Sequence, residues 1–501
     1  MVTQSTEAVA CGNGTSAKPL LQIAPMMEVT HRDFRYFMRL LSRHAQLWTE
    51  MVVDDTLLHN LEPQKCDRFL GYNSVEHPIV CQLGGSDPKK LADAAEVVER
   101  YGYDEVNLNV GCPSCRVASK GEFGCSLMKR KEHVRDIIHS MNRRVQIPVT
   151  VKCRLGVDDL DSKEFTHSFV QTVAQSGCKH FIIHARKAWL NGLSPAQNRT
   201  IPPLHYERVL NLCHDFPDLN FSLNGGVDSI GQARALLGLP GDRLDAENEE
   251  LVAAAWRAPA GSVSSTSLPA NLQGVMIGRG AMNNPVMLWD VDRQIYGDTR
   301  TPAIQTRRQL LEAYREYLEE QHPEGDGERS VGSMHNATKP TLGLFSGLRG
   351  NKAYRAAMDK QMRMKENRLL GPAHVLTAAM QAVEQANPSL LDERLFPTTA
   401  YLPGVVNGGS TSSTSGNLDS ARPPCKRKAE ADCDETEQTQ KEAQKRKQPM
   451  IVRTDEEPRP SSSSVQSRPE TSNPVLASPR PPDGSMCNDG LAIPRVCTAT
   501  A

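Results

Sequence analysis

The fold is decided by residues 78–113, which read PIVCQLGGSDPKKLADAAEVVERYGYDEVNLNVGCP. Two short apolar runs, 78–85 and 106–113, flank a segment of helix length at 87–102. Asp87 followed by Pro88 is a favourable N-cap and first-turn pair for that helix. Strand, helix and strand in this order predict two parallel neighbouring strands joined by a crossover helix.

The same unit recurs along much of the chain. Apolar runs that often end in Gly, Asn or a charged residue lie at 21–26, 47–53, 78–85, 106–113, 148–156, 180–186, 220–226 and 274–280. Eight strand–helix units predict an α/β fold, a closed (β/α)8 TIM barrel. A doubly wound open sheet is the alternative. Its Rossmann form fails because no G-x-G-x-x-G follows a strand and opens a helix.

Composition predicts the remaining parts of the chain. Residues 1–20 are a flexible leader, and 21–302 are the barrel, with a surface insertion rich in Ser, Pro, Ala and Gly at about 238–272. Residues 303–404 have a helical pattern and predict a smaller all-helical domain. Residues 405–501 are rich in Ser, Thr, Pro and Gly, carry basic clusters and are predicted to be a disordered tail.

Net charge, hydrophobicity and cysteine distribution exclude several classes of protein. A net charge of -1 over 501 residues gives no global attraction to nucleic acid, so any basic surface must be local. No window approaches ~18 uninterrupted apolar residues, so no membrane span is predicted. The cysteines form no compact disulfide framework, which indicates a reducing intracellular compartment. The tail's basic clusters suit nuclear import or an ordinary solvated tail equally, so cytoplasm, nucleus and organelle remain open.

The strand ends carry the residues that suggest a ligand, because the chemistry of such barrels lies there. The glycines that end strands seven and eight, with Arg279, suit a phosphate, although such glycines alone are usually turns. Lys152 is costly inside a barrel unless it meets an anion or an electron-rich ring, or points outward. His184 alone is more often a core histidine, and Gln82 offers the donor and acceptor that an imide edge requires. Together these residues predict flavin mononucleotide.

Two cysteines, Cys112 and Cys115, follow the fourth strand as a C-x-x-C pair. A zinc site needs about four ligands, and Cys125 and His133 supply no matching second pair. A redox pair would open a helix, whereas proline and a loop lie here. Cys112 is therefore interpreted as a single functional thiol, Cys115 as a bystander, and no metal site is predicted.

The longer motifs resemble those of the tRNA-dihydrouridine synthases, in particular the bacterial DusA type, which modifies positions 20 and 20a of the D-loop. They are IAPMMEVTHRDFRYFMRLLS, CQLGGSDP, YDEVNLNVGCPSCRV, GEFGCSLM, VTVKCRLGVDD, FIIHARKAWLNGLSPAQNRTIPPL, LNGGV and MIGRGAMNNP. The resemblance covers roughly residues 21–400. It implies an FMN-binding barrel, a helical tRNA-binding domain and NADPH as the reductant of the flavin; we expect the protein to be a monomer.

The resemblance also implies roles for single residues. Reduced FMN gives a hydride to C6 of the uracil, and Cys112 gives a proton to C5. A cysteine thiol, with a reference pKa of ~8.5, is protonated near neutral pH and can still release that proton. Asn109 is expected to hold the extruded base, and Arg199 to contact tRNA. The implied FMN contacts are Pro25, Met26, Met27, Gln82, Lys152, His184, Asn224, Gly225, Gly226, Gly278 and Arg279.

Residues 336–370 carry eight basic side chains against two acidic ones. This local excess predicts contact with the tRNA backbone, with Lys352 and Arg355 as individual candidates, although an ordinary charged helix face has a similar composition. Two other functions stay open. A relative of the dihydroorotate dehydrogenases would act on a small molecule without RNA, and a tRNA-binding or folding factor would keep the barrel without its chemistry.

Overall fold

The computed structural model describes residues 20–114, 123–239, 269–324 and 329–395. All of them belong to one unit of the chain. The predicted tail, Cys115 and most of the predicted leader and insertion lie outside the described residues.

Eight parallel strands form a single sheet, which confirms the predicted (β/α)8 barrel. The strands are β1 Leu20–Ile23, β2 Leu47–Val53, β3 Ile79–Gly84, β4 Glu105–Asn109, β5 Val149–Arg154, β6 His180–His184, β7 Asn220–Asn224 and β8 Leu272–Ile277. Each strand from β2 to β7 pairs with the next one along the chain, and β8 pairs with β1. A parallel bridge between Gln22 and Gln46 then places β1 beside β2 and nearly closes the circle.

Helices follow the strands and cover the outer face of the barrel. They are α1 Arg32–Leu41, α2 Asp54–Leu58, α3 Pro63–Leu70, α4 Pro88–Tyr101, α5 Lys131–Asn142, α6 Lys163–Ala174, α7 Tyr206–Asp215, α8 Ile230–Leu236 and α9 Arg279–Asn283. Helix α4 begins as predicted, because the Asp87 side chain accepts the N–H groups of Lys89 and Lys90. It ends at Gly102, whose φ of 99° is a left-handed conformation that favours glycine.

A further set of helices follows β8. They are α10 Val291–Gln294, α11 Arg307–Gln321, α12 Val331–Thr338, α13 Asn351–Arg363, α14 Lys365–Leu370 and α15 Pro372–Ala386. Helix α11 packs on α1: the rings of Tyr317 and Tyr36 stack 3.8 Å apart, and the Tyr317 hydroxyl donates to Asp33 at 3.0 Å. Within the described ranges, none of the helices combines the length and apolarity that crossing a membrane requires.

Polar side chains lie inside the barrel near the N-terminal ends of β4 and β5, alongside apolar residues such as Trp48 and Val80. In β4, Glu105 and Asn107 alternate with Val106 and Leu108, which belong to the outer hydrophobic core. The Thr150 hydroxyl of β5 donates to Oε1 of Glu105 at 2.5 Å. No basic side chain of the described residues forms an ion pair with Glu105, and burial raises the pKa of this carboxyl to about 7. The barrel therefore encloses a carboxyl that titrates near neutrality.

Replacing Glu105 with glutamine should change how stability depends on pH. Because its pKa rises from 4.5 to about 7 on folding, the folded protein holds this proton more tightly than the unfolded chain. The resulting stabilisation is present in full below about pH 4.5 and is lost as pH rises through about 7. From pH 5 to pH 8 the wild type should lose about 2 to 3 kcal/mol relative to Glu105→Gln. Urea denaturation at both pH values measures this loss, and parallel pH curves for the two proteins would contradict it.

Candidate active site

Cys112 lies on the turn that follows β4. The side-chain Oδ1 of Asn109 accepts the backbone N–H groups of Gly111 at 3.1 Å and of Cys112 at 2.9 Å. The Cys112 carbonyl accepts the N–H of Cys125 at 2.9 Å. Cys125 is buried, and burial raises the pKa of its thiol to about 12, whereas Cys112 is partly exposed. The turn is thus held on both sides and presents the Cys112 thiol at the barrel mouth.

Gln82 connects the Cys112 turn to the barrel interior. It lies within β3 and is only 1% exposed. Asn109 donates from Nδ2 to Oε1 of Gln82 at 2.7 Å, and Gln82 donates from Nε2 to Oδ1 of Asn107 at 2.8 Å. Gln82 of β3 is therefore joined by hydrogen bonds to Asn109 and, through it, to the Cys112 turn at the end of β4.

Lys152 projects into the barrel from β5. Its Nζ donates to Oδ1 of Asn224 at 3.1 Å, and Asn224 in turn donates to the Met276 carbonyl at 2.9 Å. Among the described residues, no carboxylate forms an ion pair with Lys152. Burial, with a smaller contribution from the charge of Arg154, lowers its pKa to about 8. A lysine enclosed with only a neutral partner favours an anionic or electron-rich ligand.

His184 lies at the end of β6, beside the glycine turn of β7. Its Nε2 is 3.2 Å from where a Cβ on Gly225 would lie. Its Nδ1 is buried and has no hydrogen-bond partner in the described part of the chain. Burial, followed by the charges of Arg154 and Lys152, lowers its pKa well below the ordinary value, so the ring is neutral. A buried ring nitrogen without a partner is costly, which indicates a ligand at this position.

The turn after β7 requires glycine. Gly225 and Gly226 have φ angles of 113° and 73°, and a Cβ on Gly226 would lie 2.5 Å from Leu204. A Cβ on Gly278, after β8, would lie 3.9 Å from the Met26 sulfur, so the ends of β8 and β1 meet here. These turns leave the backbone open to close approach by a ligand, as the phosphate prediction requires.

Three arginines share the edge of the barrel next to these turns. The exposed Arg279 donates to the Arg199 carbonyl at 3.2 Å. Burial lowers the pKa of Arg186 and of Arg199, and the charge of Arg279 lowers both further. Closely spaced guanidinium groups create a field that attracts an anion.

The remaining predicted residues lie at two places. Pro25 and Met26 are partly exposed after β1, and Met27 is 58% exposed. Lys352 and Arg355 are exposed on α13, and none of the described hydrogen bonds or ion pairs joins them to the barrel mouth. Lys339, another basic residue of the stretch 336–370, donates to the Glu28 carbonyl, next to Met27, at 2.7 Å, so this end of the stretch lies against the loop after β1.

Arg154 and Asn198 are organising residues that the sequence analysis missed. Arg154 is 4% exposed and donates to the carbonyls of Gly111 at 2.9 Å and of Lys187 and Asn198 at 3.0 Å each. The fully buried Asn198 accepts the N–H of Trp189 at 2.7 Å and donates to the Trp189 carbonyl at 2.8 Å. Arg154 therefore ties the Cys112 turn to the loop after β6. Its position two residues after Lys152, on the same face of β5, was a signal available in the sequence.

One group of potential metal ligands, His44, Asp292 and Asp298, occurs in the described ranges, with ligand atoms within 4.8 Å of one another. Asp298 already pairs with Arg43 at 3.1 Å and with Arg300 at 2.7 Å. Hydrogen bonding to Arg300 lowers the pKa of this carboxyl strongly. Since two guanidinium groups balance its charge, the cluster is explained as an ion-pair network.

Comparison with known proteins gives matches over most of the chain. The family model described as dihydrouridine synthase (Dus) matches residues 22–241 and 267–384. A tRNA-dihydrouridine(20/20a) synthase of Shewanella oneidensis is 44% identical over 333 residues, which cover 66% of this chain and 86% of that protein. One of Escherichia coli K12 is 40% identical over 392 residues, covering 76% and 97%. The solved structure of a 2-naphthoyl-CoA reductase in complex with 2-naphthoyl-CoA has a TM-score of 0.38 and 9% identity, over 56% of this chain and 50% of that one, too weak a likeness to inform function.

Proposed function

The chain belongs to the dihydrouridine synthase family, and on that premise we propose that it reduces the C5=C6 bond of a uridine in the tRNA D-loop, at position 20 or 20a, with FMN as cofactor and NADPH as reductant. The observation that carries the proposal is that Cys112, Lys152 and His184 lie at the C-terminal ends of the neighbouring strands β4, β5 and β6. The relatives named above are synthases for positions 20 and 20a, which supports this choice of uridine.

The residues present fit FMN. The glycine turns after β7 and β8, with Arg279, would hold its phosphate, because backbone N–H groups and a guanidinium both bind anions. Lys152, the partnerless Nδ1 of His184 and the remaining donor and acceptor capacity of Gln82 would hold its ring system. When bound, FMN supplies the hydride that reaches C6 of the uracil.

Cys112 would complete the reduction by giving a proton to C5 of the uracil. The base must leave its stack to reach the mouth of a barrel, so binding includes extrusion of the nucleotide. Asn109 uses its oxygen and one N–H within the protein, which leaves its second N–H to hold the extruded base. Arg154 fixes the Gly111 carbonyl at 2.9 Å and so keeps the thiol in place during the transfer.

The helical region at 303–404 would bind the rest of the tRNA. Helix α13 buries Tyr354 and Met358 and exposes Lys352 and Arg355 on its other side. Exposed cations of this kind contribute affinity by neutralising backbone phosphates. Arg199, on the rim of the mouth, would contact the tRNA closer to the reacting uridine.

The test is flavin content followed by RNA analysis. Purified recombinant protein is expected to be yellow, to contain about one FMN per chain and, with NADPH, to convert a uridine at position 20 or 20a of unmodified tRNA. Mass-spectrometric mapping of the RNA locates the product. Protein that cannot be loaded with FMN contradicts the proposal. A flavoprotein that reduces a small molecule such as orotate but not tRNA also contradicts it. So does a protein that binds tRNA without reducing it.

A further inference from the structure

Five interior side chains form one continuous line of hydrogen bonds from the N-terminal end of β4 to the Cys112 turn. In order they are Glu105, Thr150, Asn107, Gln82 and Asn109, and the four links measure 2.5, 2.9, 2.8 and 2.7 Å. The first four are at most 7% exposed. Neither Glu105, Thr150 nor Asn107 has a part in the function proposed above.

The upper end of this line fixes the orientation of two amides. A backbone N–H can only donate, so the Asn109 atom that meets the N–H groups of Gly111 and Cys112 is its oxygen. Its nitrogen then faces Gln82, which must present Oε1 in return. Gln82 consequently directs Nε2 downward to Asn107.

The lower end agrees with this direction and requires it when Glu105 is ionised, because a carboxylate can only accept. Asn107 accepts from Gln82 with Oδ1, so its Nδ2 donates to the Thr150 oxygen. The Thr150 hydroxyl must then donate, and Glu105 is the acceptor at 2.5 Å. Reversing any amide would bring two donors or two acceptors together in a buried site, where an unmade hydrogen bond is costly. Both ends therefore favour one arrangement.

We propose that Asn107 and Thr150, terminated by Glu105, are positioning residues that fix which atoms Gln82 and Asn109 present to the ligands of the barrel mouth. Each of these two amides donates one N–H within the line and has a second N–H that the line does not use. In the proposed function, the second N–H of Gln82 would meet the flavin and that of Asn109 would meet the base. The inference rests on the proposed function for the identity of those ligands, but the line itself consists of contacts within this chain.

Thr150→Val tests the proposal, because valine keeps the shape of threonine and removes the hydroxyl. Two controls match it: Thr150→Ser keeps the hydroxyl, and Ile182→Val removes one methylene from another fully buried side chain of the barrel. Thr150→Val is expected to weaken FMN binding roughly tenfold, as for loss of a buried hydrogen bond, with both controls within about twofold of wild type. Quenching of flavin fluorescence on protein stripped of FMN measures the affinity.

A second measurement needs no flavin. In a Cys115→Ser background the tryptic peptide 101–116 contains a single thiol, so its alkylation by iodoacetamide reports on Cys112 alone. Thr150→Val should change this rate, whereas Thr150→Ser and Ile182→Val should keep the wild-type rate. If Thr150→Val does not fold, Asn107→Asp and Asn107→Leu decide the same question, since Asp keeps an acceptor for Gln82 and Leu removes it.

The outcomes separate the inference from the proposed function. Equal FMN affinity and equal alkylation in Thr150→Val and wild type would overturn the inference, and so would identical losses in Thr150→Val and Thr150→Ser. Wild-type protein that takes up no FMN would overturn the proposed function. The alkylation rates of the flavin-free variants would still decide whether the line positions Cys112.

Discussion

Replacing Cys112 with alanine is expected to abolish dihydrouridine formation while leaving a yellow protein that binds tRNA. The alanine side chain has no proton to give to C5 of the uracil, and positioned general acids contribute about 10²- to 10⁴-fold to a rate. The Cys112 backbone, which bonds to Asn109 and Cys125, keeps its N–H and carbonyl in the variant. A single-turnover assay with prereduced enzyme and mass analysis of the RNA isolates this step from reduction by NADPH.

Cys125→Ala is the matched control for this prediction. Cys125 lies beside Cys112, but it is fully buried and burial raises the pKa of its thiol to about 12. A buried side chain contributes packing, so this variant should lose stability and retain the single-turnover rate. Full activity of Cys112→Ala would show that another group protonates C5. A folded Cys125→Ala protein as inactive as Cys112→Ala would show that the assay reports loop packing instead of proton transfer.

The barrel could be predicted from the sequence because each of its units repeats the same local pattern. Residues 78–113 already contain two apolar runs, a capped helix and the glycine that ends it, and the structure places β3, α4 and β4 there. Within 303–404, where the sequence has a helical pattern, residues 307–321 form α11. A sequence pattern predicts a fold well when the local preferences of each segment agree with the tertiary structure, as they do here.

The candidate site could be predicted only in part, because strand ends show which residues can meet and not which ones bond. Cys112, Lys152 and His184 were visible as polar residues in apolar runs. Their partners depend on strand register and on loops far apart in the sequence, such as the pairing of Arg154 with the carbonyl of Asn198.

One missed signal was local. In EVNLNV, residues 105–110, the polar positions alternate strictly with the apolar ones, as in a strand with one polar and one apolar face. Reading that alternation would have placed Glu105 and Asn107 inside the barrel together with Asn109. It would not have given the direction of their hydrogen bonds, which follows from the backbone of the Cys112 turn at one end and the Glu105 carboxyl at the other.

Lys152→Met is expected to weaken FMN binding by about 10- to 100-fold, the effect of losing a hydrogen bond from a charged group. Methionine keeps most of the length of lysine and removes its charge. In the structure the ammonium group has Asn224 as its hydrogen-bond acceptor and no carboxylate partner among the described residues. The positive charge of Lys152 is therefore not neutralised by a protein carboxylate and can attract an anionic flavin. Fluorescence titration of the flavin-free protein measures the loss.

The pH dependence of FMN binding distinguishes the charge of Lys152 from its packing. Burial lowers the pKa of this lysine from 10.5 to about 8, so the cation dominates below pH 8 and is lost as pH rises through that value. Wild-type affinity for FMN should fall about tenfold between pH 7 and pH 9, whereas Lys152→Met should show no such fall. Lys152→Arg, whose charge does not titrate in this range, should bind FMN with little pH dependence. If the wild type and Lys152→Met gave parallel curves, the ammonium group would have no electrostatic part in holding the flavin, and only its packing would explain a lower affinity in the methionine variant.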